Sequence, residues 1–117
     1  DIEPLTVRGD QEGDLLVLGW GSTYGAINEA VTRIHNRGLK VSQLHLKYIN
    51  PLPKDLGDIF KRFKRVLLPE INLGQLAFIL RSQYLIDFIQ FNKVQGLPFK
   101  ASEIEEKILN LLGVENE

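Results

Sequence analysis

The chain has 117 residues, 44% hydrophobic and 25% charged, with 14 Lys and Arg against 15 Asp and Glu and neither Cys nor Met. Such a length suits one hydrophobic core, and a formal net charge of -1 gives no bulk attraction to phosphate backbones or anionic lipid, which speaks against nucleic acid and membrane partners. Without cysteine the segment has no disulfide, thiolate nucleophile or Cys-ligated zinc or iron–sulfur cluster, and no apolar run reaches the roughly 20 residues of a membrane span, so a cytoplasmic setting is expected; the missing initiator Met makes the chain read as a fragment.

The first predicted strand is Leu15 to Leu18, an apolar run bounded by Gly13 and Gly19, the pattern of a strand buried on both faces. Gly19, Gly21, Ser22, Thr23 and Gly25 follow as a small-residue turn. Ile27, Ala30, Val31 and Ile34 then repeat at i, i+3, i+4, i+7, one apolar stripe of a helix closed by Gly38. Val41 to Tyr48 is rich in strand formers, with Leu44, Leu46 and Tyr48 expected on one side of the pleat and Asn50-Pro51 at its end. Pro53 suits a first helical turn, and Leu56, Ile59, Phe60 and Phe63 predict the next helical stripe. Val66 to Leu68 is a third buried strand, expected to break at Pro69. Leu76, Phe78, Ile79 and Leu80 predict a helix apolar over most of its surface and covered by another element. Ile86 to Phe91 is the fourth predicted strand. Ser102 with Glu105 forms a capping-box pattern before Ile104, Ile108, Leu111 and Leu112, in a last helix ending at Gly113.

Strands alternating with helices of this length predict an α/β fold: a three-layer domain with a mainly parallel sheet flanked by helices. The expected organisation is residues 1–13 as linker from a preceding domain, 14–113 as the α/β domain, and 114–117 as a polar tail.

Two segments are candidate sites. A glycine-rich strand-to-helix turn presents backbone N–H groups to an anion, which makes Gly21, Ser22 and Thr23 anion-site candidates. The spacing Gly19-x-Gly21-x-x-x-Gly25 is not the dinucleotide fingerprint, however, and Lys47 and Tyr48 stand where a ribose-binding acid belongs. The plainer role is backbone geometry, with Ser22 or Thr23 capping the helix. The second segment is the polar run Glu70, Ile71, Asn72, Leu73, Gly74, Gln75, which joins Asn50 and Gln95 at the carboxyl edge of the sheet, where parallel sheets gather their contacts. One carboxylate without a neighbouring His, Cys or second acid is not a catalytic constellation. Glu70, Asn72, Gly74, Gln75 and Asn50 are therefore interface candidates, expected to face another domain or subunit rather than water. His35 and His45 lack a second ligand at metal spacing, so no metal site is expected. Lys61, Arg62, Lys64 and Arg65 are expected to offset a helix C-terminus, and Trp20 to serve in packing.

In order along the chain, Leu15-Leu16-Val17-Leu18-Gly19-Trp20-Gly21-Ser22-Thr23, then Asn50-Pro51-Leu52-Pro53, then Leu67-Leu68-Pro69-Glu70-Ile71-Asn72-Leu73-Gly74-Gln75-Leu76 and finally Val94-Gln95-Gly96-Leu97-Pro98-Phe99 with Ser102-Glu103-Ile104 resemble the C-terminal domain of alpha subunits of 2-oxoacid:ferredoxin oxidoreductases, the 2-oxoglutarate type most of all. Collinear order carries the likeness, over roughly residues 14–109; Ile71 replaces the Asn usual between the Glu and Asn of the family pattern. The resemblance implies a transketolase C-terminal-like fold with a structural and assembly role, and no family catalytic residue maps onto it. It also implies a parent enzyme that oxidatively decarboxylates a 2-oxoacid such as 2-oxoglutarate or pyruvate to acyl-CoA, using thiamine diphosphate, magnesium, an iron–sulfur cluster and coenzyme A held elsewhere. Its partners would be the preceding domains of the same alpha subunit, the beta subunit, and ferredoxin as electron acceptor. The alternatives are the matching domain of another thiamine enzyme, a dehydrogenase E1 beta subunit or a transketolase, and a free-standing anion-binding or small-molecule-binding α/β module.

Overall fold

The computed structural model describes residues 5–49, 52–71, 75–93 and 97–114. In chain order these form β1 (Val7–Arg8), β2 (Gly13–Trp20), a 3-10 turn (Gly21–Thr23), α1 (Tyr24–Asn36), β3 (Ser42–Leu46), α2 (Leu56–Phe60), β4 (Phe63–Ile71), α3 (Gln75–Tyr84), β5 (Ile89–Lys93) and α4 (Ala101–Leu112). The sheet of the described residues has the order β1-β3-β2-β4-β5, parallel except for β1, which runs antiparallel to β3.

The central strand explains the three layers. Successive side chains of a strand point to opposite faces, and in β2 both faces are apolar. Leu15 and Val17 pack with Ile27, Val31 and Ile34 of α1 and Ile104, Ile108 and Leu109 of α4. Leu16 and Leu18 pack with Leu56, Ile59 and Phe60 of α2 and Leu76, Ala77 and Leu80 of α3. The predicted stripe of α1 is buried at every position named, Ile27, Ala30, Val31 and Ile34. Gly38, at φ +78, lets the chain leave the helix with the Leu39 amide donating to Ile34 O at 3.2 Å, and Leu39 then packs on the α1–α4 core.

Several expectations are corrected. The segment expected to be linker contributes β1: Val7 is buried, and the Arg8 guanidinium donates to Asn28 Oδ1 (2.7 Å), Asn28 O (3.1 Å), Thr32 Oγ1 (2.8 Å) and Gln43 Oε1 (3.3 Å), pinning the edge strand to α1 and β3. Tyr48 lies beyond the end of β3 and is 71% exposed rather than aligned with Leu44 and Leu46. Phe63 does not extend the helical stripe: α2 stops at Phe60, and Phe63 opens β4. Pro69 does not end the third strand. It sits inside β4 opposite Phe91 of β5, past Leu67, where the paired register with β2 stops, so its missing N–H breaks no ladder bond on that side. Helix α3 is not buried all round, since Phe78 is 74% exposed and Ile79 40%. The last helix starts two residues early: Glu103, not Glu105, completes the cap, its Oε1 accepting the Lys100 amide at 2.8 Å, while Phe99 before the cap and Ile104 within the first turns share the α1–α4 core as a hydrophobic staple.

Candidate functional site at the carboxyl edge of the sheet

The parallel strands β2, β3 and β4 deliver the turn after Trp20, the end of β3 and the Glu70 segment to one edge, as the sequence predicts. Gly21 and Ser22 are exposed there and Thr23 is buried. Thr23 does not cap α1 with its side chain. Its hydroxyl donates to Trp20 O at 2.9 Å and accepts the Trp20 amide at 3.3 Å, closing the 3-10 turn onto the end of β2. Gly21 holds φ +63 with open space where a Cβ would stand. The glycine is there for a left-handed backbone.

Gly19 is constrained differently. A Cβ there would lie 2.5 Å from Ile27 Cδ1, 3.1 Å from Thr23 Oγ1 and 3.5 Å from His45 Nδ1. Register sets Gly19 opposite His45. The His45 ring meets the Tyr24 ring edge-on at 4.9 Å between centroids, and its Nδ1 is buried with no hydrogen-bond partner among the described residues. Burial first, and the positive charge of Lys47 second, hold its pKa below the usual 6.5, because both disfavour the imidazolium. The imidazole is thus neutral at pH 7. Protonation is easier in the unfolded chain, so stability is complete above about pH 6.5 and falls as pH drops below that value. The carboxylate of Glu103, held below its usual 4.5 by its hydrogen bond from Lys93, loses stability only in the lower window beneath that pH. Thermal melts from pH 7.5 to 5 are expected to slope downward for the wild type and to flatten in His45→Gln; an unchanged slope in that variant would assign the effect elsewhere.

Glu70 is turned inward. The residue is 3% exposed, and its Oε1 accepts the Leu76 amide in the first turn of α3 at 2.6 Å. Its Oε2 is buried with no partner among the described residues. A carboxylate at a helix N-terminus is favoured by the free amides and the dipole, so Glu70 ties the end of β4 to the start of α3. Gln75 is exposed beside it. Asn50, Asn72, Gly74 and Gln95 lie outside the described residues. His35 is structural: its Nε2 sits 2.8 Å from Val41 O.

The four basic residues are split between the turn after α2 and β4, not gathered at a helix end. Lys64 meets Asp14 at 3.3 Å. With Glu12, Gly13, Asp14, Lys61, Arg62 and Phe63 it lines an open depression of about 520 Å³ at the opposite, amino edge of the sheet. Its charges are mixed in sign and converge on no point.

No group of three or more His, Asp or Glu that could hold a metal ion occurs among the described residues, and no helix among them is long and apolar enough to cross a membrane. The carboxyl edge offers a neutral imidazole, a capping carboxylate and a closed turn. Among the described residues, no nucleophile and base pair up there. The described residues of this edge position and pack.

No protein-family model matches the chain. It is 49% identical over 104 residues to the 2-oxoglutarate oxidoreductase subunit KorA of Mycobacterium tuberculosis, a match covering 89% of this chain and 16% of that protein. Among solved structures it superposes with TM-score 0.86 and 32% identity on a 2-oxoglutarate:ferredoxin oxidoreductase from Magnetococcus marinus with 2-oxoglutarate, coenzyme A and succinyl-CoA bound, covering 93% of this chain and 20% of that one. A split-gene transketolase, an inactive beta4 tetramer, shares the fold at TM-score 0.70 and 14% identity over 97% of this chain and 43% of that one. The chain thus spans about a sixth to a fifth of the length of these two oxidoreductase chains.

Proposed function

This chain belongs to the family of 2-oxoacid:ferredoxin oxidoreductase alpha subunits, covering 16% of the KorA relative, and from that premise we propose that it is a structural and assembly domain of such an enzyme. The 49% identity carries the reading; the structural use of Thr23 and Glu70, each bonded to backbone at the carboxyl edge, supports it. The parent enzyme oxidatively decarboxylates a 2-oxoacid, 2-oxoglutarate by likeness to the relatives' names, to its acyl-CoA and reduces ferredoxin. Thiamine diphosphate, magnesium, the iron–sulfur cluster and coenzyme A belong in this proposal to the other alpha-subunit domains and the beta subunit. The setting is cytoplasmic. The surface meeting those domains is the carboxyl edge, on which Gln75 and Ser22 are exposed.

The test is an assay of the complete alpha–beta protein for 2-oxoglutarate-dependent, coenzyme-A-dependent ferredoxin reduction, alongside calorimetric titration of the 117-residue chain with thiamine diphosphate and magnesium. Turnover by the complete protein and no binding by the chain are expected. Saturable micromolar binding by the chain, or a complete protein that oxidises no 2-oxoacid, would refute the proposal.

A further inference from the structure

The two edges of the sheet are finished differently. At one, β1 is two residues long and held by the bonds of Arg8, and Gly9 at φ +99 turns the chain away at once. At the other, β5 pairs each of its residues from Ile89 to Lys93 with β4, and no backbone hydrogen bond joins it to any other segment among the described residues. An open strand edge presents a row of unmet N–H and C=O groups, which folded proteins blunt with a proline, a bulge, an outward lysine or a covering element. β5 contains neither proline nor glycine. Its one charge, Lys93, is drawn back onto its own chain, with Nζ 2.8 Å from Glu103 Oε1 and donating to Pro98 O at 3.2 Å. The strand therefore carries no guard of its own.

The side chains of β5 suit one kind of neighbour. Ile89 and Phe91 lie against the α1–α4 core, with the Phe91 ring 5.1 Å from that of Phe99. Gln90 and Asn92 alternate with them, are exposed, and bond to each other, Asn92 Nδ2 donating to Gln90 Oε1 at 3.3 Å. We propose that β5 pairs with β5 of a second copy of this chain, antiparallel about a two-fold axis through Phe91, so that two five-stranded sheets become one. In that register Gln90 faces Asn92 of the second copy, and Phe91 faces its own counterpart. A two-fold contact sets a patch against itself, so it favours groups that complement their own kind. Carboxamides do so, because each carries both a donor and an acceptor. Charges do not, and the single charge of β5 is already met by Glu103. Ile89 meets the aliphatic stem of Lys93 of the second copy. This contact joins two copies along the side of the sheet, and it goes beyond the assembly reading, which concerns the carboxyl edge.

Sedimentation equilibrium of the 117-residue chain is expected to show a mass rising from 13.3 kDa toward twice that value, with a Kd on the order of 100 μM or tighter. Gln90→Lys with Asn92→Lys sets like charges opposite each other across the axis and is expected to weaken the dimer by about tenfold or more. Gln90→Glu with Asn92→Glu is expected to do the same. Both positions are exposed, so each double variant should melt within about 2 °C of the wild type at concentrations where the chain is monomeric. Mixed together, the Lys and Glu variants are expected to recover a dimer containing one copy of each. A chain that stays monomeric up to about 1 mM overturns the proposal. So does a dimer that neither double variant weakens, or a mixture that fails to reassociate. In the complete alpha–beta protein the Lys pair is expected to halve the sedimenting mass. An unchanged mass there overturns the proposal as well, and loss of the beta subunit alone would make that subunit, not a second copy, the neighbour of β5. Sedimentation needs no turnover, so a complete protein that fails to oxidise any 2-oxoacid refutes the functional reading while leaving this result to stand.

Discussion

Gly19→Val is expected to destabilise the chain by about 3 kcal/mol, the upper part of the range for forcing atoms into a packed core. The cause is space. The first added carbon already meets Ile27 Cδ1 at 2.5 Å and Thr23 Oγ1 at 3.1 Å. Ile27 is 1% exposed, so its terminal methyl has nowhere open to turn, and Thr23 is fixed by its two bonds to Trp20. Gly21 makes the control. Nothing lies within 4 Å of a Cβ there, and only its φ of +63 resists a side chain, so Gly21→Ala should cost about 1 kcal/mol and Gly21→Asn less. Phosphate should leave both differences unchanged if the turn serves backbone geometry alone. Ile27→Val deletes the very methyl that collides, which makes Gly19→Ala with Ile27→Val a direct probe. In urea denaturation the double variant should be more stable than the two single losses added together. Strict additivity would show that the collision with Ile27 is not the source of the cost.

How much of this was legible in the sequence depended on whether the signal was local. The stripe of α1 and the two-faced apolar run of β2 were readable because helix and strand periods act within a few residues. Phe63 was misplaced because an apolar residue three beyond Phe60 satisfies a helical period equally well when the chain turns at Lys61 and Arg62 and buries it from a strand. Pro69 was misread as a breaker because its tolerance depends on where the β2 ladder stops, a property of two strands and not of one. The last cap was misassigned to Ser102 and Glu105 while Glu103 formed it. Phe99 and Ile104 on either side of the start were the usable signal. At the carboxyl edge, the meeting of Gly19, His45 and Ile27 comes from register and helix packing, and neither is written in any short motif. The inward turn of Glu70 was missed for the same reason: a polar residue after a strand reads as surface until the helix amide it serves is placed.

That inward turn sets the second expected result. Glu70→Ala should lower the stability of the 117-residue chain by about 2 kcal/mol, through the lost cap and the buried amide left without an acceptor. A residue that only met a partner would leave the isolated chain unmoved. Glu70 and Gln75 separate on that criterion: Gln75 is exposed and Gln75→Ala should shift stability by less than about 0.5 kcal/mol. Glu70→Gln distinguishes shape from charge. Its amide oxygen still accepts the Leu76 N–H, so what remains lost is the favourable charge at the start of α3, about 0.3–1 kcal/mol. The order expected in chemical denaturation is therefore wild type, then Glu70→Gln, then Glu70→Ala. Equal losses for Gln and Ala would mean that the carboxylate acts through its charge rather than through the bond at 2.6 Å. No loss in either would mean that the Leu76 amide finds another acceptor, and Glu70 would return to the surface role that its place near the end of β4 suggests.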